Sequence, residues 1–375
     1  MSSLGDSPDV LFLRDERHGG PPGQEATVAG AFADFVDAAS TSLDVAIYDF
    51  RLDDANAVST VVGALTGATD RGVVVRIGYD AGKPADATAQ DFAELAADPA
   101  PIGTGVWVQE HFAGTGVQST AIRGGSQLMH SKYLVRDAPG DEVASPPTAA
   151  VWTGSTNFTD DAWTRQENNI VTLSSGTLAL AYRTDFEQMW STGSISGTGK
   201  GDSGHTTVGG TDVGWDFCPG DGVAVNAAVA ARVAAATDRV VVGAMVLTSH
   251  DVLAALADAL GRGVPVSGIY DGGQMDPIVR QWRASGSTQV LASWDAVSPH
   301  LHVKHSIPYS PTSTHDFMHL KVLVTDDLVT TGSYNFSANA ERNAENQITM
   351  ADGGVAAAYV DYLDALVREY PASLT

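Results

Sequence analysis

Two histidines, each followed two positions later by a lysine, supply the groups that a transfer at phosphorus needs. The first string is His130-Ser131-Lys132, with four residues before Asp137; the second is His319-Leu320-Lys321, with four residues before Asp326. Each leads to a Gly-Ser-x-Asn-Phe segment, Gly154-Ser155-Thr156-Asn157-Phe158 and Gly332-Ser333-Tyr334-Asn335-Phe336, and then to Glu167-Asn168 and Glu345-Asn346. Counting from Asn to Glu gives ten residues in both copies. One such string could be an accident; two with matching downstream segments are not.

A phosphodiester requires a nucleophile, an acid for the leaving alkoxide, and positive donors for the equatorial oxygens. One neutral His can attack phosphorus to give a covalent intermediate. A second, protonated His can donate to the leaving oxygen and then deprotonate water. Lys132, Lys321, Asn157 and Asn335 can stabilise the developing charge, and Ser155 and Ser333 add small donors suited to phosphate oxygens. Glu167 and Glu345 can each bond a ring nitrogen of a His, fixing its tautomer. The set calls for no metal and no cofactor.

These side chains need strands to hold them. Residues two apart on a strand share a face, so His130 projects with Lys132 and His319 with Lys321. Asp137 and Asp326 stand an odd number of residues from their His, which puts them off that face and gives them a structural role in tying the following turn. The duplication reaches further: Arg71-Gly72-Val73 leading to Tyr79-Asp80 matches Arg262-Gly263-Val264 leading to Tyr270-Asp271. His130 to His319 spans 189 positions but Gly154 to Gly332 spans 178, so 11 extra residues fall in the Pro/Gly/Asp-rich stretch 138–148. Strands are expected at 43–50, 73–79, 105–109, 130–136, 150–153 and 168–173, and again near 239–247, 264–270, 289–293, 319–325, 328–331 and 346–350. Helices are expected at 54–69, 87–97, 176–190 and 353–369. The plan is α/β, with a first half over 1–190, a flexible Gly/Ser/Thr-rich connection over 191–214, and a second half over 215–375.

Composition narrows the partners. A net charge of −24 opposes non-specific binding of duplex nucleic acid and of strongly anionic membranes. Only five lysines occur in the chain, and two of them sit in the repeated motifs. No apolar run reaches the length of a membrane span, and Val10-Leu11-Phe12-Leu13 is too short for a signal-peptide core, so a cytoplasmic location is expected. Cys218 is the single cysteine, which excludes an internal disulfide and reads as a buried thiol. His300, His302 and His305 are spaced like a metal cluster but read as loop or pocket-wall residues.

The doubled His-x-Lys-x4-Asp with Gly-Ser-x-Asn-Phe and a trailing Glu-Asn resembles the phospholipase D superfamily, from about residue 42 to 190 and 238 to 370. The resemblance implies two α/β halves, each a central mixed sheet flanked by helices, packed about a pseudo-two-fold axis with one active site at their interface. It implies His130 as nucleophile forming a phosphohistidine, His319 as acid/base, Lys132, Lys321, Asn157 and Asn335 on the phosphate, and Glu167 and Glu345 orienting the histidines. The loops 111–129 and 300–318, of equal length, are expected to line the mouth of the site. The substrate is then a phosphodiester. Arg123, Lys304 and Tyr309 are a thin set for nucleic acid, while Phe112, Ile122, Leu128, Ile307 and Tyr309 are modest apolar tips for peripheral contact with a membrane. A phospholipid headgroup is the leading reading, with a nuclease and a non-catalytic phosphate-binding scaffold as alternatives.

Overall fold

The computed structural model of the protein describes residues 7–82, 103–140, 146–310 and 313–373. The first half contributes β1 (Asp9–Leu13), β2 (Ser42–Ile47), β3 (Phe50–Arg51), β4 (Val74–Asp80), β5 (Gln118–Ile122), β6 (Lys132–Arg136), β7 (Ala150–Gly154), β8 (Phe158–Thr159) and β9 (Asn168–Ser174). The second contributes β10 (Gly204–Val208), β11 (Thr211–Cys218), β12 (Val240–Ala244), β13 (Val266–Asp271), β14 (His302–Lys304), β15 (Lys321–Thr325), β16 (Leu328–Gly332) and β17 (Glu345–Ala351). One large sheet runs β1-β9-β7-β6-β2-β4-β5 and a second β10-β11-β17-β16-β15-β12-β13-β14, while β3 and β8 pair apart from both. Both are mixed: β2-β4-β5 and β12-β13-β14 are parallel, and the remaining ladders are antiparallel. The fold is α/β with two similar halves.

The three large buried cores among the described residues explain how the halves join. One lies outside the first sheet, beneath helices Gln24–Asp37, Ala55–Asp70 and Thr104–Phe112, and another lies outside the second, beneath helices Gly222–Ala235, His250–Gly261, Gly272–Ser285 and Thr288–Val297. The third is shared. It holds the inner faces of both sheets, with Tyr133, Val151 and Val171 from one and Val322, Val329 and Ile348 from the other. Helices Gly176–Thr192 and Gly353–Glu369 belong to that same core through Leu178, Tyr182 and Phe186, and through Tyr359, Leu363 and Leu366. Each helix buries one face at helical spacing, and each large apolar side chain so covered contributes roughly 1.5–3 kcal/mol. Their starts are capped in parallel. Ser175 Oγ accepts from the Leu178 amide at 3.2 Å, and Asp352 Oδ1 accepts from those of Gly354 and Val355 at 2.8 and 3.0 Å.

Several sequence expectations change here. Residues 105–109 and 289–293 are helical, not extended. Trp107, Val108 and Phe112, and likewise Val290, Trp294 and Val297, recur at helical spacing, while Val106 is 62% exposed. The parallel strands come later, as β5 and β14, inside the stretches expected to be loops. The stretch 191–214 is no simple coil, because it contains β10 and the start of β11, a hairpin that adds to the second sheet. Along β11 Val213, Trp215 and Phe217 enter the shared core while Asp212 is exposed, a period-two pattern hidden by the Gly/Thr-rich surroundings. By its pairing with β17, β11 is the counterpart of β1 on β9, and residue 215, expected to open the second half, falls inside this strand. The helix expected at 87–97 lies outside the described residues, as do 141–145 of the insertion. The insertion separates β6 from β7, where the second half has a two-residue turn between β15 and β16.

Candidate active site

β6 and β15 are central in their sheets, and each begins at the lysine of its motif. The preceding residues are pinned from β4 and β13, each one strand removed in its sheet. Asp80 Oδ2 accepts from the Met129 amide, and Asp271 Oδ2 from the Met318 amide, both at 2.7 Å. Burial pushes both carboxyls up to about 7, against these backbone donors, which pull the other way. The Asp80 and Asp271 roles were not read from the sequence, although the repeated Tyr-Asp at a strand end was the available signal.

At the far end of the motif strands, Asp137 and Asp326 adopt left-handed backbone, with φ of 49° and 53°. The Asp137 carboxylate accepts from the backbone amides of Ser40, Thr41 and Ser42 and from the hydroxyls of Ser40 and Thr41. Asp326 accepts from the amides of Thr237, Asp238 and Arg239. Each ties its strand end to the start of the neighbouring strand, away from the histidines.

Both histidines reach across the interface. His130 Nδ1 donates to Glu345 Oε2 at 2.8 Å, and both side chains are fully buried. His319 Nδ1 donates to Asn168 Oδ1 at 3.0 Å. Ser333 Oγ donates to the same Glu345 oxygen at 2.6 Å, and Ser155 Oγ to the same Asn168 oxygen at 2.7 Å. The Asn168 amide is oriented by its Nδ2, which donates to the carbonyl of Ala162 and to Gln166 Oε1. Both imidazoles therefore carry a proton on Nδ1, which leaves Nε2 as the reactive nitrogen of the neutral ring.

The counterpart of Glu345 is thus Asn168, not Glu167. The strand registers agree: Ser155 N donates to Asn169 O at 3.1 Å and Ser333 N to Asn346 O at 2.9 Å. From Asn157 to Asn168 is eleven residues and from Asn335 to Glu345 ten, so the first half has one extra residue, in the segment holding the short helix Asp160–Thr164. The equal Asn-to-Glu count in the sequence hides this slip. Glu167 faces elsewhere. Its Oε2 accepts from Lys304 Nζ at 2.7 Å and its Oε1 from the Tyr370 hydroxyl at 2.6 Å, so it does not orient His319.

Gly154 and Gly332 have φ of 146° and 142°, and a Cβ on either would collide with the carbonyl oxygen of Asn169 or Asn346. Glycine here lets β7 and β16 lie close to the strands that carry Asn168 and Glu345. Ser155 and Ser333, expected on the phosphate, spend their hydroxyls on those same strands, donating to Asn168 and Glu345 and accepting from the amides of Asn169 and Asn346.

The lysines lie alongside. Lys132 Nζ donates to His130 O at 2.7 Å and sits 4.9 Å from the centre of the Tyr48 ring, which also packs edge-on against His130. Lys321 Nζ donates to His319 O at 2.8 Å, with Met245 where the first half has Tyr48. Asn157 and Asn335 are buried, and Oδ1 of each has no hydrogen-bond partner among the described residues. These matching amide oxygens of the two halves are acceptors that call for a donor from outside the described residues.

Other sequence candidates fall outside this cluster. Lys304 is buried in the ion pair with Glu167 and with Asp15, and His302 Nδ1 bonds the Tyr370 carbonyl. Phe112, Ile122 and Leu128 are core residues, whereas Ile307 is 41% exposed and Arg123 is exposed. Tyr309, His315 and Phe317 form a stack of rings. Among the described residues no helix is long and apolar enough to cross a membrane.

The comparisons agree with this architecture. A family model described as cardiolipin synthase, PLD-like domain, matches residues 32–190 and 229–367. No curated protein matches in sequence. Among solved structures, phosphatidylserine synthase from Haemophilus influenzae Rd KW20 has a TM-score of 0.61 at 12% identity, over 99% of this chain and 88% of that one. Polyphosphate kinase from Porphyromonas gingivalis also has a TM-score of 0.61, at 11% identity, over 96% of this chain and 47% of its own. With both halves matched and their histidines paired across one interface, the chain belongs to the phospholipase D-like family, as a single polypeptide carrying two copies of the domain.

Proposed function

We propose that the protein breaks a phosphodiester through a covalent phosphohistidine, with a phospholipid headgroup as the substrate class. The observation that carries this reading is the reciprocal pairing of His130 with Glu345 and of His319 with Asn168 across the interface. His130 Nε2 attacks phosphorus; as the N–P bond forms, the P–O bond to the leaving alkoxide breaks, and that oxygen takes the proton from His319 Nε2. Water or an alcohol then gives its proton to His319 and attacks phosphorus, and the N–P bond breaks to return His130. Lys132, Lys321 and the amides of Asn157 and Asn335 hold the phosphoryl oxygens.

The family's own description names a phospholipid, and the net charge of −24 disfavours a polyanionic substrate. The test is product release, in EDTA, from phosphatidylcholine vesicles containing cardiolipin, with and without an added alcohol, beside single-stranded DNA and with His130→Ala as the blank. Phosphatidic acid or a transphosphatidylated lipid from the wild type alone supports the proposal. Cleavage of DNA in its place makes the protein a nuclease, and silence on every substrate returns the scaffold reading.

A further inference from the structure

The two histidines differ in the charge of their partners. Glu345 is a carboxylate and Asn168 a neutral amide, yet they occupy equivalent places, each held by the serine of its own half. We infer that Asn168 is a positioning residue that sets His319 apart as the more acidic imidazolium, so that the two histidines are fixed in different roles. This deepens the function proposed above and rests on it for the word catalysis, but not for the order of proton affinities.

The reasoning is electrostatic. Once Nε2 of the attacking ring is bonded to phosphorus, the ring is an imidazolium with its remaining proton on Nδ1. A carboxylate at 2.8 Å stabilises that cation, and Glu345 offers it to His130. The proton donor has the opposite need, because it must release a proton and be neutral while the intermediate lasts. An amide oxygen holds the Nδ1 proton and the ring orientation without adding negative charge. The motif lysine and the aspartate behind the preceding amide recur around both rings. His319 has Lys321 on its own strand, Asp271 behind the Met318 amide, and the Glu167–Lys304 pair beside Asn168. His130 has the matching Lys132 and Asp80, with the Tyr48 ring against it.

The experiment compares the histidines one at a time in full-length protein labelled with 15N-histidine. His130→Asn leaves His319 to be titrated by NMR, and His319→Asn leaves His130. The expected result is that His130 titrates at least about one pH unit above His319. Equal midpoints or the reverse order overturn the inference, whether or not any substrate is turned over. Should a histidine variant fail to fold, the wild-type Nδ1 protons decide: the signal of His130 must lie downfield of that of His319, and Glu345→Gln must bring them together. With turnover in hand, Asn168→Asp must raise the alkaline limb of kcat/KM by about one unit. A loss of amplitude with the limb unmoved would make Asn168 merely structural.

Discussion

Glu167 Oε2 lies 2.7 Å from Lys304 Nζ, and this buried pair joins the two halves one residue away from Asn168, the residue that bonds His319. Asp15, 3.4 Å from the same ammonium, and Tyr370 complete the cluster, so it links the N-terminal segment, both halves and the end of the last helix. Removing the Glu167 charge leaves Lys304 buried with Asp15 as its remaining carboxylate, farther away and shared with Arg17.

Glu167→Gln is therefore expected to cost about 3 kcal/mol of stability while leaving the pH limbs of activity in place. Urea denaturation and a kcat/KM profile on the same sample check both parts. A moved limb with unchanged stability would return Glu167 to the catalytic set.

His130→Ala and His319→Ala should each lower turnover by about a thousandfold or more, and the double variant should be little worse than either, because the two rings act on one bond. Lys132→Ala should lower kcat/KM by about a hundredfold, through weaker binding and a slower chemical step. Steady-state kinetics with circular dichroism of each variant distinguishes these effects from unfolding.

Asp185 gives a stability signature with a definite sign. Its carboxyl, in the shared core, accepts from the Tyr133 hydroxyl at 2.6 Å and has its second oxygen without a partner among the described residues. Burial raises it to about 7, more than the tyrosine hydrogen bond lowers it. The folded protein then binds more protons than the unfolded one between about pH 4 and pH 7, so this group's contribution to stability falls as pH rises through that window. Asp185→Asn should raise the melting temperature at pH 8 and barely change it at pH 5.

Asp137 has the opposite sign. Burial alone would raise its carboxyl, but hydrogen bonds from neighbouring hydroxyls and from the amides of Ser42, Thr41 and Ser40 outweigh that and hold it at about 2. Its contribution is present above about pH 4 and is lost as pH falls towards 2. Asp137→Ala should cost about 3 kcal/mol near neutral pH, and Asp137→Asn, which tolerates the left-handed backbone and keeps one acceptor, about half of that. Denaturant midpoints at pH 7 and pH 3 test both magnitude and sign.

Much of this was legible in the residues. Strand periodicity puts His130 with Lys132 and His319 with Lys321, and the position of Asp137 beyond the strand end foretells its bonds to the chain rather than to the site. Two things were concealed for physical reasons. Val106-Trp107-Val108 and the short apolar run Val290-Leu291-Ala292 resemble strands locally, and only packing against the neighbouring elements selects the helix. The partner of His319 was hidden by one inserted residue, which leaves the Glu-Asn dipeptide intact in the sequence and shifts it along the strand in space. Spacing counts residues; it does not see where an insertion is absorbed.

The shared core between the sheets has a consequence for how such a site can change. Two identical chains meeting on that core would have to give each histidine the same neighbour, because a codon change in one copy is a change in both. Joined on one polypeptide, the halves mutate separately. Glu345 opposite Asn168, and Tyr48 opposite Met245, are differences that two identical chains could not hold, and one polypeptide carrying both copies lets a single interface hold two unlike histidines.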